Sequence, residues 1–292
     1  MSILEGSWQN GYIKTNGITL HYVTQGQGPL MLMLHGFPEF WYSWRHQIPE
    51  FAKDFKVVAL DLRGYNDSDK PQDQSAYMAE FVKDIEGVIK GLGYDKCVLV
   101  GHDWGGAIAW NFAYTHPEMV EQLIILNLPH PAKFAQGLRN PQQLLRSSYI
   151  FLFQLPWVPE ILLQSADYQL VENTLKGMAV EKSTFTQADI EAYKNAVAKR
   201  GALTAMLSYY RNFFQQKLFK EDWPVLEVPT LMIWGEKDTA LSKELSYGTE
   251  VYVKDFQIKY IPNCSHWVQQ EKPQLVNQYI REFLDTRSLV VT

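Results

Sequence analysis

The apolar positions of this chain fall into two rhythms. Within residues 12–26, apolar and polar positions alternate on both sides of Asn16-Gly17, the pattern of a β-hairpin closed by a two-residue turn. Five later runs are continuously apolar: LMLMLHG (30–36), FKVVALDLRG (55–64), KCVLVGH (96–102), QLIILNLP (122–129) and PTLMIWGEKD (229–238). Runs without alternation predict strands buried on both faces, as in a parallel sheet.

Helical spacing fills the gaps. In residues 75–92, Met78, Phe81, Val82, Ile85, Val88 and Ile89 recur three and four apart, and Gly91 or Gly93 can end the helix. Residues 103–115 predict a second helix, closed before Pro117. Alternating strands and helices imply an α/β fold with a mainly parallel sheet. The alternation stops at Pro129 and resumes at Val228. Between them, 141–154, 159–166, 187–201 and 204–216 all read as helices, and Thr186-x-x-Asp189 resembles a capping box. The expected organisation is one compact unit: a core from 1–128 and 224–292, with a helical cap inserted at 129–223.

Composition narrows the function. A net charge of −5 disfavours nucleic acid, which needs a basic face. The two cysteines, Cys97 and Cys264, form no CxxC or Cys/His cluster, so they read as small fillers in a reducing compartment rather than a disulfide or zinc site. The N-terminus has neither the basic nor the apolar part of a signal peptide. The most apolar segment, 147–163, is broken by Pro156 and Pro159 and is too interrupted to span a membrane, although it leaves a membrane-touching surface open. These features together predict a cytoplasmic protein. Aromatic residues make up 14% of the chain, enough for a large core or a deep apolar pocket.

The chemistry concentrates at GHDWGG (101–106). A small-x-nucleophile-x-small turn between a strand and a helix is a nucleophile elbow, here with Asp103 where a serine is common. Asp103 alone also fits a helix N-cap. Two later residues favour catalysis. Asp238 follows an apolar strand run, His266 lies in a loop before the last helix, and the order nucleophile, acid, histidine is that of a triad on this scaffold. The pair His35-Gly36 after the run 30–34 places the backbone N–H of Phe37 near the elbow, and with the N–H of Trp104 it would form an oxyanion hole. No G-x-S-x-G occurs, which leaves an esterase or lipase poorly supported.

HGFPE (35–39), DLRGY (61–65) and GHDWGG (101–106) resemble the signatures of the epoxide hydrolases of the α/β-hydrolase superfamily. The resemblance runs over nearly the whole chain and is to the animal-type enzymes, soluble and membrane-linked, through cap segments 127–134, 144–160 and 208–214. It implies an α/β-hydrolase fold with an α-helical cap, and conversion of a small apolar epoxide and water to a vicinal diol through an ester on Asp103. His266 and Asp238 would activate the water. Two cap tyrosines would hold and protonate the epoxide oxygen: Tyr210, in its YRN context, and Tyr149, with Tyr168 and Tyr209 as competitors. No metal or cofactor is implied, and either a monomer or a homodimer fits. Phe151, Phe153, Trp157, Phe213 and Phe214 would make the cap's apolar lining. A haloalkane dehalogenase would use the same aspartate but has no need of the tyrosines, and a non-catalytic binding protein would need no triad at all.

Overall fold

The computed structural model describes residues 3–71, 78–212 and 222–288. The strands are β1 (Gln9–Thr15), β2 (Ile18–Gln25), β3 (Leu30–Leu34), β4 (Lys56–Leu60), β5 (Cys97–His102), β6 (Val120–Leu126), β7 (Thr230–Gly235) and β8 (Phe256–Ile261). They form one sheet in the order β1-β2-β4-β3-β5-β6-β7-β8. The hairpin turns where expected. Asn16 and Gly17 both have positive φ, 47° and 76°, as a turn matched to the twist of the flanking strands requires. β1 and β2 pair antiparallel, as do β2 and β4, and every pair from β4 onward is parallel. β3, β5 and β7 are buried along their whole length, which is why their sequences lack alternation. β8 has no counterpart in the apolar runs. It is an edge strand with only its last residue buried, and FQIKYI carries the polar positions that an edge tolerates.

Helices α1 (Ile48–Phe51), α2 (Met78–Gly91) and α3 (Trp104–Thr115) accompany the first half of the sheet, and α10 (Val268–Glu271) and α11 (Pro273–Ser288) the last strands. Between β6 and β7 the described residues form α4 (Pro131–Gly137), α5 (Pro141–Arg146), α6 (Tyr149–Leu152), α7 (Val158–Met178), α8 (Gln187–Ala198) and α9 (Ala202–Arg211). Three details depart from the sequence pattern. The helix expected over 141–154 divides into α5 and α6. The helix expected over 159–166 continues to Met178 beyond a kink, where Ala166, Asp167 and Tyr168 all have positive φ. Helix α4 follows a Pro at its first position and was not anticipated. Thr186 and Asp189 do form the reciprocal capping box of α8.

Buried polar contacts tie this helical block to the sheet side. The Tyr42 hydroxyl donates to Asp189 (2.9 Å), Tyr193 to Gln270 (2.8 Å) and Tyr209 to the Arg63 carbonyl (2.7 Å). A buried donor or acceptor left without its partner costs ~1–3 kcal/mol, so these contacts fix where the block sits over the strand ends. Cys97 and Cys264 are free and buried. Among the described residues no helix is long and apolar enough to cross a membrane.

Candidate active site

Strand β5 ends at His102, and the chain reverses into α3 within one residue. Asp103 carries that reversal at φ 49°, ψ −121°. Side chains at neighbouring positions would block it. A Cβ on Gly36 would overlap the Asp103 side chain, and one on Gly105 would overlap the carbonyls of Leu34 and His35. Asp103 stands at the N-cap position of α3 but makes no side-chain capping bond. Its Oδ1 instead accepts the backbone N–H of Phe37 (2.8 Å). The simple N-cap reading of Asp103 is therefore not what the geometry shows. Trp104, the other residue expected at the oxyanion hole, is the first residue of α3 and adjoins Asp103.

Asp103, Asp238 and His266 come together from three separate strand ends. His266 Nδ1 is 2.7 Å from Asp238 Oδ2, and its Nε2 is 3.5 Å from Asp103 Oδ2. Burial opposes a charged ring, but the carboxylates of Asp238 and Asp103 outweigh it and push His266 up to about 10. Burial likewise works to raise Asp103, but His266 and the Phe37 N–H hold its carboxyl below the usual range. Asp103 is thus an ionised carboxylate with one oxygen on a backbone donor and the other toward an imidazolium.

Three residues of this site escaped the sequence reading. Asn127, at the end of β6 with φ 42°, donates to Asp238 Oδ2 (2.7 Å) while its own Oδ1 accepts the Gly235 N–H (2.9 Å). The other oxygen of Asp238 accepts the N–H groups of Ala240 and Leu241 (2.8 and 2.9 Å), so the acid is held on both sides. His102 places Nδ1 2.8 Å from Glu39 Oε2 and Nε2 2.9 Å from the His266 carbonyl. Glu39 also accepts from Gly36 N–H, Gln269 and Gln270. Both residues lie inside the quoted motifs, HGFPE and GHDWGG, but nothing in the chain order says that they would meet.

Two cavities, of about 70 and 380 Å³, meet at Asp103, Tyr149 and Tyr210, which line both. Leu128, Pro129, Phe134 and Ile150 line the smaller one. The larger adds Phe37, Phe153, Met178, His266 and Trp267, together with Arg146, Asn173 and Thr174. Burial, and after it the Asp103 charge, raises the Tyr149 phenol; burial, and after it Tyr149, raises Tyr210. Both stay protonated donors. Of the competing tyrosines, Tyr209 is committed to the core, stacked on Phe81 (4.3 Å) and bonded to Arg63, and Tyr168 sits in the α7 kink and lines neither cavity. The expected apolar lining needs correction. Phe153 faces the larger cavity, but Phe151, on the single-turn helix α6, is half exposed, and Trp157, the left-handed N-cap of α7, is 76% exposed; neither lines a cavity at Asp103. Phe213 and Phe214 fall outside the described residues.

Comparison with known proteins converges on one family. The family model for the alpha/beta hydrolase fold matches residues 29–273. Epoxide hydrolase 3 of Xenopus tropicalis is 45% identical, with 97% of this chain and 79% of that protein covered. Human epoxide hydrolase 4 is 43% identical over 93% of this chain and 77% of its own length. Among solved structures, the Bacillus megaterium epoxide hydrolase in complex with an inhibitor superposes with a TM-score of 0.89, at 43% identity over 94% of this chain and all of that one. With an aspartate in the elbow and a helical block between β6 and β7, this chain belongs to the epoxide hydrolases of the α/β-hydrolase fold family.

Proposed function

We propose that this protein hydrolyses a small apolar epoxide to a vicinal diol, through a covalent ester on Asp103. The observation that carries the proposal is the division of labour on one carboxylate. Oδ1 is held by the Phe37 N–H, Oδ2 faces His266, and two protonated tyrosines line the same cavity. A serine in this place would form an ether with an epoxide, which the site could not reopen; a carboxylate forms an ester, which water cleaves.

In the proposed cycle, Oδ2 attacks one ring carbon as the carbon–oxygen bond of the epoxide breaks. The ring oxygen takes a proton from the Tyr149–Tyr210 pair. Esterification removes the Asp103 charge, and with it one of the contributions that keep His266 protonated. The proton that His266 then releases balances the one lost by the tyrosines. The neutral ring, oriented by Asp238, takes a proton from water as that water attacks the ester carbonyl carbon. Negative charge gathers on Oδ1, beside the Phe37 N–H and that of Trp104. Collapse breaks the bond between Oδ2 and the carbonyl carbon; the imidazolium of His266 protonates the leaving alkoxide and then takes the remaining hydroxyl proton from Asp103, so the diol leaves with the original Oδ2, the water oxygen stays on a restored Asp103 carboxylate, and His266 is again charged. The block 129–223 serves as the cap, holding the tyrosines over the nucleophile. The protein works in a reducing, cytoplasmic setting, which suits two free, buried cysteines.

The test is a single turnover of styrene oxide in isotopically heavy-oxygen water, with excess enzyme. The label should enter Asp103 and not the first diol. Label appearing in that first diol would mean direct hydration and would overturn the ester. The dehalogenase reading predicts halide release from dibromoethane in place of diol formation.

A further inference from the structure

His266 sits on a loop, and a loop does not hold a side chain by itself. The single turn that follows it, α10, supplies the support. Glu271 in that turn is a carboxylate only 8% exposed, and the groups that donate to it are all neutral. Oε1 accepts the Ser265 N–H (2.9 Å) and the Ser265 hydroxyl. Oε2 accepts the N–H groups of Val180 (2.9 Å) and Glu181 (3.1 Å). A carboxylate offers about four acceptor sites, so each is taken. One oxygen thus holds the residue before His266, and the other holds the chain just past α7, in the helical block.

The two segments joined in this way both wall the larger cavity at Asp103. Met178 lines it two residues before Val180, and His266 and Trp267 line it directly after Ser265. Gln270, beside Glu271, makes a second crossing of the same kind. Its Oε1 accepts the Tyr193 hydroxyl of α8 (2.8 Å), and its Nε2 donates to Glu39 (2.8 Å), the residue paired with the His102 ring that meets the His266 carbonyl. The groups assigned to ester formation are held elsewhere: Asp103 by the Phe37 N–H, Tyr149 on α6 and Tyr210 on α9. Loss of the Glu271 contacts would therefore disturb the histidine and spare the nucleophile and the acid donors.

We infer that Glu271 is a positioning residue: it ties the loop of His266 to the end of α7, so that the histidine is aligned for cleavage of the ester while the helical block is seated. The kinetic part of its test rests on the ester proposed above, and the spectroscopic part does not. Single turnovers of styrene oxide separate formation of the ester from its breakdown. Glu271→Gln keeps the shape of the side chain, but a carboxamide has one acceptor oxygen and sets N–H against N–H at its other end. Breakdown should slow by about tenfold or more, since ångström-scale misplacement of a reacting group costs up to about a hundredfold. Formation should stay within about twofold of wild type, so that the adduct accumulates in intact-mass spectra. Val180→Pro removes one donor at the helical-block end alone, and Ala179 before it already has the extended backbone (ψ 133°) that a proline requires. It should slow breakdown by about threefold or more, again with formation spared. In NMR spectra the His266 Nδ1 proton, bonded to Asp238, should shift or broaden in both variants. Equal slowing of both half-reactions, or unchanged breakdown in either variant, would make Glu271 a structural anchor only and overturn the inference. If circular dichroism shows Glu271→Gln unfolded, Val180→Pro decides by the same criteria. A wild-type enzyme that forms no adduct would overturn the ester instead; the His266 proton then decides, and a signal unchanged in both variants would overturn the inference.

Discussion

Asp103 Oδ1 is bound by the Phe37 N–H and Oδ2 looks toward His266, so the proposed nucleophile and the proposed carbonyl oxygen are already distinguished before any substrate arrives. Asp103→Ala should therefore abolish diol formation and covalent labelling together. His266→Gln should stop the cycle after the first step. Intact-mass measurement should then show one substrate adduct per chain, and an adduct-free enzyme that still turns over would exclude His266 as the base. Tyr210→Phe and Tyr149→Phe remove one donor each. Each should slow adduct formation in stopped flow, and the double variant should be slower by about a hundredfold or more, the usual size of general-acid assistance. A neutral Tyr149→Phe would move the second donor elsewhere in the cavity. Asp103→Asn removes one of the two carboxylates that keep His266 charged, so NMR titration of its ring should find the pKa lowered. An unchanged pKa would mean that Asp238 alone sets it.

The elbow succeeds as an element because β3, β5 and α3 approach more closely than any side chain allows. The Cβ of an alanine at Gly105 would meet the carbonyls of Leu34 and His35 in backbone that has nowhere to move. Gly105→Ala should cost about 3 kcal/mol or more, read as a lower urea midpoint, and should misplace the Phe37 donor. A variant with wild-type stability would show that the strand ends can separate. The end of β6 plays the corresponding part for the acid. Asn127→Ala leaves both the Gly235 N–H and one Asp238 contact without a partner, at a cost of about 1–3 kcal/mol. Activity should fall along with stability, as Asp238 loses one of its supports.

Across the whole molecule, the buried charges make stability depend on pH from both sides. His266 is raised from 6.5 to about 10 in the folded protein. Its contribution is complete below 6.5 and is lost as pH rises toward 10. Asp103 and Asp61 are lowered from 3.8, so their contributions hold above that value and fade as pH falls below it. Thermal melting should show a plateau between these limits. The alkaline limb should be shallower in Asp103→Asn, whose His266 is closer to its unfolded value; an identical limb would assign the effect to other groups.

Periodicity and turn chemistry made the parallel strands, the Asn16-Gly17 hairpin, the elbow and the Thr186–Asp189 box legible, because each is decided by residues close together in the chain. The elbow context and the chain order nucleophile, acid, histidine pointed to Asp103, Asp238 and His266, and the family resemblance added Tyr149 and Tyr210. Edge strand β8 escaped because a half-exposed edge needs no continuous apolar run. The division of α5 from α6 and the α7 kink escaped because helical spacing does not record where packing on the core interrupts it. Glu39–His102, Asn127 on Asp238, the position of Tyr149 and not Tyr168 at the cavity wall, and the exposed Trp157 are visible only in the tertiary structure. Each depends on which strand end or cap helix lies opposite another, and that is fixed by the burial of the whole core rather than by any local stretch of residues.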